Sequence, residues 1–178
     1  CINFKKLDIN VNIMYFSKWH DNKNIIENIN KNINSRIKTL ALVDSYGALQ
    51  PKQILNSKNY KNKLNFKLGA HFHNNCGLAI ANSLAAIDNN CSVVDSTFTG
   101  MGRGAGNLHT EMICNYLNKK QNLTYDENLI LSAITQHIQP IKDTSPWGYS
   151  IPYFLSARLK CHPNYASYLQ KNNISPDN

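Results

Sequence analysis

Hydrophobic and polar residues along the first hundred positions follow patterns that predict four β-strands. Residues 9–15 alternate apolar and polar side chains and are rich in β-branched residues, which favours a strand. Residues 39–44 are almost continuously apolar, which is typical of a parallel strand covered on both faces. The same criteria predict strands from 66 to at least 71 and over 91–95.

Segments with helical spacing of apolar residues separate these strands. Asp21 is predicted to cap a helix with a stripe of isoleucines, Ile25, Ile26, Ile29 and Ile33. Two further helices are predicted over 52–55 and 77–88. The strands then end about every 30 residues, the length of one strand with its crossover helix, at Phe16, Asp44, His73 and Ser96. Four such units are half of an eight-stranded β/α barrel, which typically takes about 250 residues.

The last third of the chain has no strand pattern and predicts helices. Asp126 or Thr124 is expected to cap a helix over 127–138, which Pro140 would end. Residues 146–168 are rich in aromatic side chains and predict short helices. The predicted organisation is therefore a partial barrel domain over 1–122, a helical segment over 123–171 and a flexible tail over 172–178.

The composition indicates a basic surface and argues against several classes of protein. The net charge is +8, but the lysines are interspersed with asparagines and form no patch with aromatic residues, so a nucleic-acid partner is not favoured. There is neither a secretory signal nor an apolar run of about eighteen residues, so no membrane association is predicted. Five widely spaced cysteines without a C-x-x-C pair are typical of a reducing compartment, so a cytoplasmic location is expected.

Residues 69–75, Gly-Ala-His-Phe-His-Asn-Asn, are the strongest candidate for chemistry. Side chains two positions apart on a strand point to the same face, so His71 and His73 present both imidazoles on one side. Neutral imidazole is the commonest protein ligand of metal ions, and α/β folds place their chemistry at the carboxyl ends of parallel strands. The pair therefore predicts a metal site. The alternative is that one histidine packs in the core and the other is incidental.

Other predicted strand ends carry polar residues with more than one role open to them. Asp44 and Asp95 are candidates for contact with a metal ion or substrate; alternatively, Asp44 shapes its turn and Asp95 holds the glycine loop by hydrogen bonds. The hydroxyl of Ser45 is a candidate substrate donor. Residues 100–105 match the dinucleotide pattern G-x-G-x-x-A, but the acidic residue expected about twenty positions later is missing. Asn107 opens the next predicted helix, as its N-cap or as a further metal ligand.

Three motifs occur in a fixed order along the chain: Val-Asp-Ser-Tyr-Gly-Ala at 43–48, Ala-His-Phe-His-Asn-Asn at 70–75, and Val-Asp-Ser with Gly-Met-Gly-Arg-Gly-Ala-Gly-Asn within 94–107. Together they resemble the pyruvate-type metalloaldolase superfamily of TIM barrels, the hydroxymethylglutaryl-CoA lyase-like proteins. The Gly148-Tyr149 pair in the helical segment resembles the hydroxy-oxo-acid aldolase branch. The resemblance implies an α/β fold, the C-terminal half of a TIM (β/α)8 barrel followed by a small helical segment.

The same resemblance implies a cofactor, a reaction and partners. His71 and His73 would bind a divalent metal, Mn²⁺ or Mg²⁺, and Asn107 matches a further ligand of the lyase branch only. Ser45, His71 and Tyr149 would contact substrate, with Tyr149 also catalytic. The implied reaction cleaves or forms a 4-hydroxy-2-oxo acid through a metal-stabilised pyruvate enolate, so the partners are a 2-oxo acid and an aldehyde. A homo-oligomer or a partner dehydrogenase would contact the C-terminal segment.

One element of that superfamily does not occur in these residues. Its first strand carries an Arg-Asp-Gly sequence that supplies a third metal ligand and an arginine, with a histidine base beyond it. Together with the start at Cys1, this predicts the C-terminal fragment of a longer enzyme, inactive by itself. Two alternatives stay open: an acyl-CoA-dependent condensing enzyme of the isopropylmalate or homocitrate synthase type, and a non-catalytic half-barrel that binds a partner.

Overall fold

In the part of the chain that the structure describes, four parallel strands form one sheet in the order in which they occur in the sequence. The computed structural model describes residues 8–32, 37–55 and 67–175. Within these ranges each strand is hydrogen-bonded to the next: β1 Ile9–Ile13, β2 Ile37–Asp44, β3 Lys67–Phe72 and β4 Val93–Val94. This confirms the predicted α/β fold, in which four parallel strands make half of an eight-stranded barrel.

The strands differ from the prediction at their ends. β4 has two residues where five were expected, although the amide of Asp95 still donates to the carbonyl of Ala70 at 3.0 Å, so the chain follows β3 beyond the strand proper. β1 ends at Ile13, because Tyr15 adopts a left-handed backbone conformation with φ 62° that an extended strand does not allow. Phe66, the predicted start of the third strand, lies outside the described residues.

Helices follow the strands, and one of them was not predicted. The additional helix is α1, Phe16–Trp19; the others are α2 Lys23–Asn32, α3 Pro51–Leu55, α4 Ala79–Asp88 and α5 Thr110–Gln121. The predicted cap of α2 is wrong by one residue, since Asn22 directly precedes the helix and its side chain accepts the Asn24 amide at 3.1 Å. Ile33 of the predicted stripe lies outside the described residues.

Alternate residues of β2 and β3 face the two sides of the sheet. Leu42, Ala70 and Phe72 belong to the hydrophobic core, which also includes side chains of α3, α4 and α5. The positions between them share the opposite face, where Val43 pairs with His71 and Ala41 with Gly69. A side chain at Gly69 would place its Cβ 3.2 Å from the Ala41 Cβ, so this face is closely packed up to the histidines.

Three buried asparagines, spaced seven residues apart, hold the segment after β2 in place by hydrogen bonds. Asn75, Asn82 and Asn89 donate side-chain amide hydrogens to backbone carbonyls, at 3.1 Å to Tyr46, 3.0 Å to Leu49 and 2.9 Å to Ile54. We call these residues the asparagine ladder. Buried backbone carbonyls need hydrogen-bond donors, and the ladder supplies one donor to each of these three carbonyls.

The C-terminal part of the chain is helical, as predicted. Its helices are α6 Glu127–Ala133, α7 Gln139–Thr144, α8 Ile151–Arg158 and α9 Asn164–Lys171. α8 packs on α9, where Ala157 and Ala166 are buried and the hydroxyls of Tyr153 and Ser167 lie 2.7 Å apart. Within the described ranges, no helix has the length and apolarity that crossing a bilayer requires. Residues 176–178 of the predicted flexible tail lie outside those ranges.

The predicted helix end at Pro140 is wrong. A π-helical turn over Ile134–Ile138 joins α6 directly to α7, and the amide of Gln139 donates to the carbonyl of Ile134. Proline normally clashes with the carbonyl of the preceding turn, but here it lies in the first turn of α7, just after the extra residue of the π turn. The helix therefore continues to Thr144. Of the two predicted caps, Asp126 is the one used, since its carboxylate accepts the Leu129 amide at 2.9 Å.

Candidate functional site

The two histidines lie side by side at the carboxyl end of β3. Their ring centroids are 5.2 Å apart and the ring planes are inclined at 76°. His71 is in the strand and His73 directly follows it, so their separation by two residues places both rings on one face, opposite the helix-packed core. The predicted placement of both imidazoles is confirmed, and their role in metal binding stays a prediction.

Asp95 holds the ring of His71. Its Oδ2 lies 3.2 Å from Nδ1 of His71. A carboxylate on one imidazole nitrogen fixes the orientation of the ring and leaves the other nitrogen free to bind a ligand, which is the usual arrangement around histidines that bind metals. This contact to His71 was not among the roles considered for Asp95, and a direct contact of Asp95 with metal or substrate stays a prediction.

His73 is kept neutral by its surroundings. Burial lowers its pKa to about 4, and electrostatic interactions with His71 and Arg103 act in the same direction. A hydrogen bond to the backbone of Gly106 opposes this shift only in part. Because metal ions bind the neutral imidazole, His73 is in its ligand form at neutral pH without first losing a proton.

Asn107 brings an unsatisfied oxygen next to His73. The two residues form an antiparallel β-bridge, which turns their side chains to the same side. The amide nitrogen of Asn107 donates to the carbonyl of Met101 at 3.0 Å, but its Oδ1 is buried without a hydrogen-bond partner. The N-cap role considered for Asn107 is wrong, because α5 begins only at Thr110.

The donors present fit a divalent metal ion. In the described ranges no cluster of three or more His, Cys, Asp or Glu side chains is close enough to hold a metal. The unpartnered Oδ1 of Asn107 nevertheless adds an amide oxygen to the imidazoles of His71 and His73. Buried polar atoms rarely lack partners in folded proteins, and amide oxygen with imidazole suits a divalent cation such as Mn²⁺.

Asp44 and Ser45 lie in the turn that follows β2. Asp44 is fully buried, and its Oδ2 accepts the Leu49 amide at 2.8 Å while its carbonyl accepts the Gly47 amide at 3.0 Å. Burial raises the pKa of its carboxyl group. The hydroxyl oxygen of Ser45 accepts the Tyr15 amide at 2.9 Å, which joins the ends of β1 and β2. Asp44 therefore shapes the turn, and the predicted substrate contact of Ser45 stays a prediction.

Asn75 connects three of the loops at this edge, which sequence analysis did not predict. It donates to the carbonyl of Tyr46 at 3.1 Å and accepts the amide of Ala105 at 3.1 Å. It is 2 % exposed and stands two residues after His73. A possible signal was the spacing of seven residues in the asparagine ladder, which places the side chains on one face of a helical path.

The glycine loop, residues 100–107, closes over the histidines from the β4 side. The amide of Asn74 donates to the carbonyl of Gly106 at 2.8 Å, and Gly106 has φ +85° with no room for a Cβ beside the carbonyl of Gly100. A dinucleotide fingerprint would open directly into a helix, but α5 starts after the bridged residues 107 and 109. The loop therefore packs against the histidine site and does not lead directly into the N-terminus of a helix.

Tyr149 lies beside this loop but is largely exposed. The indole nitrogen of Trp147 donates to the carbonyl of Thr99 at 3.0 Å, and the backbone amide of Gly148 donates to the carbonyl of Gly104 at 3.4 Å. These contacts dock the helical segment against the glycine loop. Tyr149 itself is 69 % exposed, and no described hydrogen bond joins its hydroxyl to the histidines. Its predicted substrate and catalytic roles stay predictions.

Comparison with known sequences agrees with this geometry. A family model described as HMGL-like matches residues 1–141. The 4-hydroxy-2-oxovalerate aldolase of Pelotomaculum thermopropionicum is 44% identical over 79 residues, which are 44% of this chain and 23% of that protein. That of Thermomicrobium roseum is 38% identical over 107 residues, 59% of this chain and 30% of that protein. The chain thus matches between about a quarter and a third of the length of these relatives.

Solved structures show the same fold. The N-terminal domain of a proposed aldolase from Bacteroides vulgatus superposes with a TM-score of 0.83 at 32% identity, covering 93% of this chain and 55% of that one. The carboxyl transferase domain of Rhizobium etli pyruvate carboxylase gives a TM-score of 0.67 at 14% identity, covering 93% and 29%, a likeness of fold alone. Since the family model covers residues 1–141 and the predicted motifs lie within it, the chain belongs to the HMGL-like family.

Proposed function

We propose that the intact protein, of which this chain forms a part, is a divalent-metal-dependent aldolase that cleaves a 4-hydroxy-2-oxo acid to pyruvate and an aldehyde or forms it from them. One observation carries the proposal: two imidazoles 5.2 Å apart stand beside an unpartnered amide oxygen at the carboxyl edge of the sheet. The relatives named 4-hydroxy-2-oxovalerate aldolase support this reaction class. Mn²⁺ or Mg²⁺ is the proposed ion.

The residues of this chain have different proposed roles at that site. His71, His73 and Asn107 Oδ1 would hold the ion, which when bound supplies a Lewis acid for negative charge on the 2-oxo oxygen. Asp95 fixes the orientation of His71 through Nδ1. The Ser45 oxygen already accepts an amide hydrogen, so its own hydroxyl hydrogen stays available to the substrate carboxylate.

Cleavage breaks the bond between C3 and C4 of the substrate. The C4 hydroxyl gives up its proton and becomes the aldehyde, and the bonding electron pair passes to C3, which gives the enolate of pyruvate and then, on protonation, pyruvate. Tyr149 is proposed to contact the substrate in this step from the docked helical segment, because Gly148 is bonded to the glycine loop.

Pyruvate release from 4-hydroxy-2-oxopentanoate, coupled to NADH oxidation by lactate dehydrogenase, tests the proposal. We expect residues 1–178 alone to be inactive, and we expect the intact enzyme that also supplies the Arg-Asp-Gly strand to be active with Mn²⁺ or Mg²⁺, to lose activity in EDTA, and to recover it when the metal is restored. Calorimetric titration with Mn²⁺ should show at least about tenfold weaker binding for His73→Ala. The exposed His137, in the π turn, provides the matched control His137→Ala. Undiminished activity in EDTA would contradict the proposal.

Two other outcomes would replace it with a different function. Release of free CoA on mixing an acyl-CoA with a 2-oxo acid would favour the condensing enzyme. Metal-independent partner binding that survives the combined change His71→Ala and His73→Ala would favour a non-catalytic half-barrel. A homo-oligomer or a partner dehydrogenase at the C-terminal segment stays a prediction, and Leu129, Leu131 and Tyr165 are among the exposed apolar side chains of that segment.

A further inference from the structure

Arg103 stands at a fixed position in the glycine loop. The carbonyl of Arg103 accepts the amide of Gly106 at 3.2 Å, which closes a tight turn. Its neighbours are glycines that leave no room for side chains: a Cβ at Gly102 would strike the side chain of Asn107, and one at Gly104 would lie 2.9 Å from Asn75 Oδ1. The backbone that carries Arg103 is therefore packed directly against the histidine site.

The guanidinium of Arg103 is exposed and carries an unbalanced charge. No carboxylate in the described part of the chain forms an ion pair with it. The acidic groups nearest the loop are engaged elsewhere: Asp95 with His71 at 3.2 Å, and Glu111 with His109 at 3.2 Å and the Thr99 amide at 3.0 Å. The loop that carries Arg103 is bonded to the residue that follows His73, since the amide of Asn74 donates to the carbonyl of Gly106 at 2.8 Å.

An exposed arginine side chain on a tightly packed loop beside a proposed site for 2-oxo acids is suited to bind an anionic group. The planar guanidinium matches a carboxylate or phosphate with two parallel hydrogen bonds. A single guanidinium balances a single negative charge, which suits a carboxylate better than a doubly charged phosphate. The first carboxylate of a 2-oxo acid would lie with the 2-oxo group near the histidines, which leaves Arg103 for a different group of the same molecule.

We propose that Arg103 binds a second carboxylate, located on the aldehyde side of the bond that breaks, so that the preferred substrate is a dicarboxylic 4-hydroxy-2-oxo acid. The inference rests on the proposed function. The second carboxylate takes no part in bond breaking: the C3–C4 bond still yields pyruvate, and the other product is an aldehyde that keeps its own carboxylate. Arg103 thus determines specificity and binding affinity, while the reacting atoms are handled at the histidines.

Binding of uncleavable acids tests this without lyase activity. The probes are 2-oxopentanedioate, which has two carboxylates, and 2-oxopentanoate, which has one and the same carbon chain, each titrated calorimetrically in buffer with Mn²⁺. We expect the protein to prefer the dicarboxylate by about tenfold or more, the usual effect of a charged hydrogen bond. Arg103→Ala should bring this ratio close to one, and Arg103→Lys should retain part of it.

Arg158→Ala is the matched control, since Arg158 is an exposed arginine in the last turn of α8, away from the glycine loop, and its removal changes the net charge equally. It should keep the ratio. The inference would be overturned if the unmodified protein bound the two acids with nearly equal affinity. It would also be overturned if Arg103→Ala left the affinity ratio unchanged, including the case in which it weakened the binding of both acids equally. A dicarboxylate preference without any pyruvate release by the intact enzyme would instead refute the aldolase proposal and leave Arg103 as an anion-binding residue.

Discussion

Asn75 allows the stability of the strand-end loops to be tested through a single side chain. The change Asn75→Ala removes one hydrogen bond to the Tyr46 carbonyl and one from the Ala105 amide, both at 3.1 Å and both buried. Each buried group left without a partner costs about 1–3 kcal/mol. We therefore expect the free energy of unfolding to fall by about 3 kcal/mol, with a small cavity adding to this loss.

Asn82→Ala provides an internal comparison. Asn82 makes one ladder bond, to the Leu49 carbonyl, while its own Oδ1 is buried without a partner. Its removal loses one bond but also relieves one unsatisfied oxygen, so the expected loss is smaller, about 1 kcal/mol. The predicted order, Asn75→Ala more damaging than Asn82→Ala, follows from these partners and not from burial, which is nearly equal at the two sites.

Urea unfolding followed by circular dichroism measures both changes. A loss of 3 kcal/mol corresponds to a decrease in Tm of roughly 6–12 °C for a chain of this size. Asn28→Ala, on the exposed side of α2, is the control and should stay within about 0.5 kcal/mol of the unmodified protein. If Asn75→Ala matched Asn28→Ala, or if Asn82→Ala were the more damaging, the assignment of Asn75 as the connection between the loops would be refuted.

Three further changes test other parts of the structure. Asp126→Ala should lower the unfolding free energy by about 1 kcal/mol through loss of the cap on α6, whereas Thr124→Ala should not, as thermal unfolding would show. Gly69→Ala should cost about 1–3 kcal/mol because its Cβ would lie 3.0 Å from Thr39 Cγ2. Asp44→Asn should gain stability relative to the unmodified protein as pH rises. Burial raises the folded pKa of Asp44 above its ordinary 3.8, so the unmodified protein loses stability from pH 3.8 upward through the folded pKa, and urea midpoints at pH 4 and pH 7 should reveal this.

The sheet and the histidine pair could be predicted because each rests on a local pattern. Continuous apolar residues marked β2, and the spacing of two residues placed His71 and His73 on one face. β4 was predicted too long, because its short ladder with β3 depends on the neighbouring strand and not on its own apolar residues. The strand order followed from the regular spacing of strand and helix, which the sequence displays directly.

The contacts between loops could not be predicted from the sequence. The bond of Asn75 to Ala105 spans 30 positions and that to Tyr46 spans 29, and nothing in the local sequence marks either partner. Asn107 was assigned to a helix start because asparagine favours such positions, but its pairing with His73 delays the helix to Thr110. Pro140 was assigned a helix end for the same kind of reason, and the π turn that accommodates it leaves no clear signal in the sequence.

The unbroken helical path from Glu127 to Thr144 links chain length to the geometry of the loop. Because the π turn lets the helix pass Pro140, residues 127–144 form a rod about 27 Å long that ends three residues before Trp147. Adding or deleting one residue in such a rod rotates everything beyond it by about 100° and moves it by about 1.5 Å. Trp147 would then lose its bond to Thr99. The number of residues in this rod, more than their identity, therefore sets whether the helical segment can close over the glycine loop.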